Sequence, residues 1–183
     1  MIKEIIGFCI LISVTSQTSI ARTPKKVRVS PRGEQFIKDS ETLSLRSYRI
    51  KGESSNTIGW GHKIKSSDPL WLRRKWVGTT ISKSDAEKIF RADMDNFINP
   101  ALNRVMKELE NEGVNTHLLK QGFIDGLASL IYNCGESGVK RTKFYKHLLR
   151  NRISKAIDSV ETTRVIKRGH ATRRKAESKL MKN

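Results

Sequence analysis

Cysteine is nearly absent from this chain: Cys9 and Cys134 are the only two in 183 residues. Cys9 lies in a terminal apolar stretch that reads as a leader, so the mature chain keeps one thiol and cannot close an internal disulfide. Metal-ligand spacing is missing as well, because neither cysteine has a nearby partner and His62, His117, His147 and His170 are scattered. Long apolar runs are scarce too. The one candidate, residues 5–14, is short for a bilayer span. With Lys3 ahead of it and Ser19 and Ala21 behind, it reads as an export leader over residues 1–21, removed before Arg22, with an uncleaved anchor as the alternative. No internal repeat is present, and the length suffices for one domain with a core of its own.

Negative charge is the third shortage. Lys and Arg number 36 against 18 Asp and Glu, a formal net charge of +18. Such an excess asks for an anionic partner, whether nucleic acid, a membrane face or an acidic wall polymer, and charge by itself does not choose among them. Specific nucleic-acid binding finds no support in a recognition-helix pattern, an RNA-binding aromatic motif or zinc spacing, and export argues against it.

Residues 22–33 read as a basic, apolar-poor tether and 34–183 as the folded domain. A helix start is written at the join: Ser30 can cap, Pro31 suits the first helical position, and Phe36, Ile37 and Leu43 can then face a core. Across residues 45–62, Tyr48, Ile50, Thr57, Ile58 and Trp60 alternate with polar residues while Gly52, Gly59 and Gly61 punctuate the run, which predicts a small antiparallel hairpin or sheet. The basic and aromatic stretch 70–77 follows as a loop or short helix, with Trp71 and Trp76 able to pack. Ser82 and Asp85 resemble a capping pair, and Ala86, Ile89, Phe90, Asp93, Met94 and Phe97 continue at helical spacing toward Pro100, where a long helix should end. Residues 117–133 carry the strongest apolar helical pattern, broken by Gly135, and predict the buried central helix. Shorter amphipathic helices are expected at 144–149, 153–160 and 172–180.

Glycoside hydrolysis needs a carboxylic acid that protonates the leaving oxygen and normally a second carboxylate that activates water or attacks the sugar. Glu41 suits the first role. It lies where a helix hands over to a hairpin, a junction that builds clefts, and an apolar neighbourhood there would favour its protonated form. Taken alone, a Glu at a helix end is more often a solvated or capping residue.

The run Glu41-Thr-Leu-Ser-Leu-Arg-Ser-Tyr48, followed by Thr57-Ile-Gly-Trp-Gly-His62, resembles the signature of phage-type lysozymes, glycoside hydrolase family 24. That signature is a glutamate, an apolar and basic stretch, a tyrosine, and then Thr-Ile-Gly-aromatic-Gly-His. The resemblance extends over nearly the whole mature chain, with residues 82–93 similar to the family's linker helix, 123–139 to its core helix and following turn, and 169–180 to its C-terminal helix. It implies an α+β lysozyme fold: a small hairpin-containing lobe and a larger helical lobe joined by a long helix. It also implies hydrolysis of β-1,4 bonds between N-acetylmuramic acid and N-acetylglucosamine in peptidoglycan, without cofactor or metal; the leader directs the chain to the periplasm or outside the cell, where a monomer is expected.

Carried over by position, Glu41 matches the general acid and Thr57 the threonine that holds the attacking water beneath the scissile sugar. A threonine hydroxyl can donate to and accept from such a water, although without the motif Thr57 is an ordinary β-branched strand residue. His62 matches a histidine that pairs with an aspartate of the linker helix, here Asp93, which implies structural work. Asn133, within Tyr132-Asn-Cys-Gly135, matches a cleft-facing polar position that could hydrogen-bond a sugar amide, or else is a helix-terminal asparagine ahead of Gly135. Cys134 reads as a small buried hydrophobe.

The sequence departs from the family pattern at the second carboxylate. Many members place an aspartate two residues after the tyrosine, but Tyr48 is followed by Arg49 and Ile50, and the loop to Thr57 is one residue longer. Glu53 is the only carboxylate between Tyr48 and Thr57, either a stand-in as base or electrostatic stabiliser or a solvated turn residue. The gap keeps a non-catalytic peptidoglycan-binding protein on the same scaffold as the rival reading. Arg73-Arg-Lys75 and Arg173-Arg-Lys175 read as solvated basic faces that could add attraction to anionic wall polymers or a membrane face.

Overall fold

The computed structural model describes residues 26–163 and 168–183. The expected leader and the first residues of the tether lie outside the described residues. Helix α1 (Pro31–Ser40) opens on its cap, with Ser30 Oγ accepting from Gly33 N at 3.1 Å and Pro31 in the first turn, where no N–H is required. It stops at Glu41, whose backbone is extended.

Strands β1 (Ser44–Tyr48), β2 (Thr57–Gly59) and β3 (His62–Lys63) form an antiparallel sheet in that order. Tyr48 stands opposite Thr57, and Thr57 opposite Lys63, so these three side chains share one face. Gly59 and Gly61 turn the chain around Trp60 at φ values of 65° and 85°, which a residue with a Cβ rarely adopts. Trp60 is buried, its ring edge-on to Phe90 at 5.6 Å.

The stretch that follows is the short helix expected, but its tryptophans stay largely outside the core. Helix α2 (Leu70–Arg73) is a single turn that buries Leu72 and leaves Trp71 43% and Trp76 73% exposed. The reason lies in the backbone: Ser47 N donates to Thr79 O and Gly78 N to Ser47 O, both at 2.8 Å, so the loop is pinned flat along β1 and Trp76 has no core to enter.

Helix α3 (Lys83–Asp93) is capped by Ser82 Oγ, which accepts from Asp85 N at 3.0 Å, and it does not end at Pro100. Met94–Ile98 make a π turn, and α4 (Asn99–Asn111) continues with Pro100 in its first turn. Asn99 N donates to Met94 O, five residues back, so an extra residue is taken up just before the proline. Asn99 is buried there, and its Oδ1 accepts from Val29 N at 3.0 Å. The described end of the tether is therefore docked rather than loose. Val27 exchanges bonds of 2.9 and 2.8 Å with the Asn103 amide, and Val29 is buried.

The large lobe consists of α5 (Gln121–Cys134), α6 (Glu136–Lys140), α7 (Lys143–Leu148), α8 (Ile153–Ser159) and α9 (Arg168–Lys182). Helix α5 is buried without interruption from Phe123 to Ile131, packed by α1, α4 and α9. It starts later than the apolar pattern suggests, because Thr116–Leu118 form a separate 3-10 turn and Leu118 stays exposed. Gly122 and Gly126 let α9 approach: a Cβ on Gly126 would meet Met181 Cγ at 2.5 Å, and one on Gly122 would run into the Leu180 carbonyl oxygen. The architecture is the α+β arrangement expected, a sheet-bearing small lobe and a helical large lobe joined through α3 and α4.

Candidate active site

Glu41 stands at the junction of α1 and β1 with its side chain 22% exposed. Its surroundings are charged rather than apolar. Oε1 accepts from Arg173 Nη1 of α9, while Oε2 is turned toward Gly61, where an added Cβ would lie 3.7 Å away. Arg173 is itself held, donating from Nε to Glu177 Oε1 and from Nη2 to Ser129 Oγ, each at 3.1 Å.

Arg174 extends the network. Its Nε donates to Thr163 O at 2.9 Å, Nη1 to Glu177 Oε2, and Nη2 to Asn133 Oδ1 and, at 3.3 Å, to Cys134 Sγ. Arg173 and Arg174, expected on a solvated basic face, are thus buried, and Glu177 between them is fully buried. The desolvation of two guanidinium groups is offset because Glu177 bridges both, Glu41 takes Arg173 Nη1, and neutral acceptors take the other donors that are bonded. Cys134, expected to be buried, is partly buried against the core and accepts from the Arg174 guanidinium.

A groove of about 430 Å³ runs beside this network, with Gly61, Lys63, Phe97, Tyr132, Asn133 and Gly135 in its lining. Gly61 therefore faces both the groove and Glu41 Oε2. Tyr132 donates its hydroxyl to Trp60 O at 2.6 Å, tying α5 to the β2–β3 turn. Burial, with the charges of Asp93 and Glu41, pushes its phenol far above the ordinary range, so it stays a neutral donor.

Thr57 is buried on β2, and among the described residues its Oγ1 has no hydrogen-bond partner. A hydroxyl in that state costs stability unless a ligand or water satisfies it. Glu53 reaches the same face of the sheet through Lys63, whose Nζ donates to Glu53 Oε1 at 2.8 Å. Glu53 Oε2 is buried and likewise without a partner among the described residues. Among the described residues, Glu53 is paired with Lys63 and Glu41 with Arg173.

His62 lies between two carboxylates, its Nδ1 2.9 Å from each oxygen of Asp93 and its Nε2 3.1 Å from Asp68 Oδ2. Burial pushes the imidazole pKa down, but the hydrogen bonds and charges of Asp93 and then Asp68 outweigh it and raise the value above 6.5. The sequence reading missed Asp68, which closes the turn after β3 by accepting from Lys65 N at 2.6 Å. It read Arg173 and Arg174 as solvated and assigned no role in the site to Ser129 or Glu177. The available signal was the spacing of Arg173, Arg174 and Glu177 on one helical face, beside an apolar α9 edge at Leu180 and Met181.

A model of the family described as phage lysozyme matches residues 38–177. Among solved structures, the endolysin from Escherichia coli O157:H7 phage FAHEc1 is similar with a TM-score of 0.68 and 22% identity, over 87% of this chain and 96% of that one. The muramidase domain of SpmX from Asticaccaulis excentricus is similar with a TM-score of 0.66 and 20% identity, over 85% of this chain and 98% of that one. A comparison with curated proteins finds no match. At these identities the solved structures speak for the fold. The family match reaches from the last turn of α1 through the sheet and on to Glu177, and the chain belongs to the phage lysozyme family.

Proposed function

We propose that the protein is a muramidase that hydrolyses the β-1,4 bond between N-acetylmuramic acid and N-acetylglucosamine in peptidoglycan, outside the cytoplasmic membrane, with Glu41 as proton donor. The observation that carries this reading is the pose of Glu41, one oxygen engaged by Arg173 and the other turned to Gly61 at the groove. An acid anchored in this way keeps its direction while Oε2 hands a proton to the leaving oxygen. Thr57 Oγ1 holds the attacking water, since it can donate and accept and has no described partner competing for it. Glu53 adds negative charge from the same sheet face, restrained by Lys63. Asn133 meets the glycan from the groove wall. His62 with Asp93 and Asp68 locks β3 to α3 and takes no part in the chemistry.

The test is digestion of purified peptidoglycan by the chain and by Glu41→Gln, counting new reducing ends and identifying products by mass. The parent should release muropeptides ending in muramic acid, and the variant should lose at least about a hundredfold in rate. An unchanged rate in the variant, or products ending in glucosamine, would remove the reading.

A second reading, a non-catalytic peptidoglycan-binding protein, draws on one observation: Glu53 is bound to Lys63 rather than presented alone to the Thr57 face. Wall binding by both proteins with reducing ends from neither would establish it.

A further inference from the structure

Nine large apolar side chains are exposed among the described residues, and seven of them fall in two stretches, 45–50 and 70–77. The first holds Leu45, Tyr48 and Ile50, and the second Leu70, Trp71, Trp76 and Val77, of which Trp76 is 73% and Val77 57% exposed. The two stretches abut. Arg46 forms a β-bridge with Thr80, and Arg49 and Lys75 meet at Asn56, which accepts from Arg49 Nε at 2.9 Å and donates to Lys75 O at 3.1 Å. Arg46, Arg49, Lys51, Arg73, Arg74 and Lys75 lie in or beside the same two stretches, whose only neighbouring acids in sequence are Glu41, Glu53, Asp68 and Asp85 at their ends.

Exposed apolar side chains that gather in neighbouring stretches mark interaction surfaces more often than isolated ones do. Tryptophan, aliphatic side chains and cations interleaved on one ridge match the interface of a bilayer. Rings settle at headgroup level, aliphatic groups reach the acyl boundary, and guanidinium and ammonium groups pair with phosphates. A hydrated polyanion would satisfy the cations but leave Trp76 and Val77 in water. We infer that this ridge of the small lobe docks the protein on a bilayer rich in anionic phospholipid. The inference is tested apart from hydrolysis, because Trp71, Trp76, Arg73 and Arg74 do not line the groove, although Tyr48 at the edge of the ridge shares the sheet face of Thr57.

The test uses the full chain with vesicles of phosphatidylglycerol and phosphatidylethanolamine, and a matched set of phosphatidylcholine, with acyl chains brominated to quench tryptophan. The anionic vesicles should quench the parent, and Trp71→Phe/Trp76→Phe, which retains buried Trp60, should show no quenching. Arg73→Glu/Arg74→Glu should weaken vesicle binding at least about thirtyfold, from the loss of two cations near the surface. Lys175→Glu/Lys179→Glu, the same change of charge on α9, should weaken it less than about threefold, because distant charges are screened. Absence of quenching in the parent overturns the inference, even where the protein sediments with vesicles. Equal losses for the two charge pairs overturn it as well, since attraction is then diffuse. Binding to poly(glycerol phosphate) that depends on Arg73 and Arg74, without quenching by lipid, assigns the ridge to a polymer instead.

Discussion

Arg173 on α9 donates to Glu41 at the end of α1, joining two side chains 132 positions apart. Through Glu177 the contact continues to Arg174 and Asn133, so one charged network underlies both ends of the candidate site.

Replacing Arg173 by Met leaves Glu41 Oε1 and part of Glu177 without a charged partner. The expected loss is about 3 kcal/mol of stability, as when one member of a buried pair is removed, read as a lower urea midpoint. Hydrolysis should fall through kcat more than through KM, because the proton donor loses its anchor directly while Arg173 itself does not line the groove. Equal effects on both constants would argue that Arg173 acts on the fold alone.

His62 makes stability depend on pH in a defined direction. Its folded pKa is raised above the ordinary 6.5 by Asp93 and Asp68, in spite of burial. The contribution of the charged imidazole is therefore fully present below about 6.5 and is lost as pH rises through the folded value. The unfolding midpoint should fall on that alkaline side, and His62→Gln should flatten the dependence. An NMR titration placing the His62 pKa below 6.5 would contradict the account.

Gly122→Ala should cost about 1–3 kcal/mol, since the new Cβ meets the Leu180 carbonyl oxygen and α9 must shift as a body. Calorimetry of the variant checks this, and an unchanged melting temperature would mean that α9 does not approach α5 so closely.

Glu53→Gln separates a participating carboxylate from a turn residue. If its charge supports the transition state, muropeptide release should slow at least about tenfold with little change in wall binding. A parental rate would leave Glu53 as the partner of Lys63 and nothing more.

Features coded within a few residues were legible in the sequence. Ser30-Pro31 and Ser82 start their helices, and the glycines around Trp60 make the β2–β3 turn, because caps and positive φ angles depend on immediate neighbours. The π turn before Pro100 was not legible. A proline after an amphipathic run signals a stop, and only the burial of Asn99 against Val29 shows why the helix continues. The aromatic loop was misjudged for a related reason: composition marks Trp71 and Trp76 as apolar but does not say whether a core lies within reach.

By itself the sequence determined the order of the main helices and the hairpin and the junction that carries Glu41, since periodicity, caps and turn residues are local properties of a chain, while the α+β class followed from the resemblance of its motifs to phage-type lysozymes. Only the tertiary structure decided what surrounds Glu41. Arg173-Arg174 reads as a solvated pair until α9 lies against α5, and the packing permitted by Gly122 and Gly126 then buries both guanidinium groups around Glu177. Whether a charge is solvated or paired depends on what the fold brings beside it, and sequence spacing carries no record of contacts made across a hundred residues.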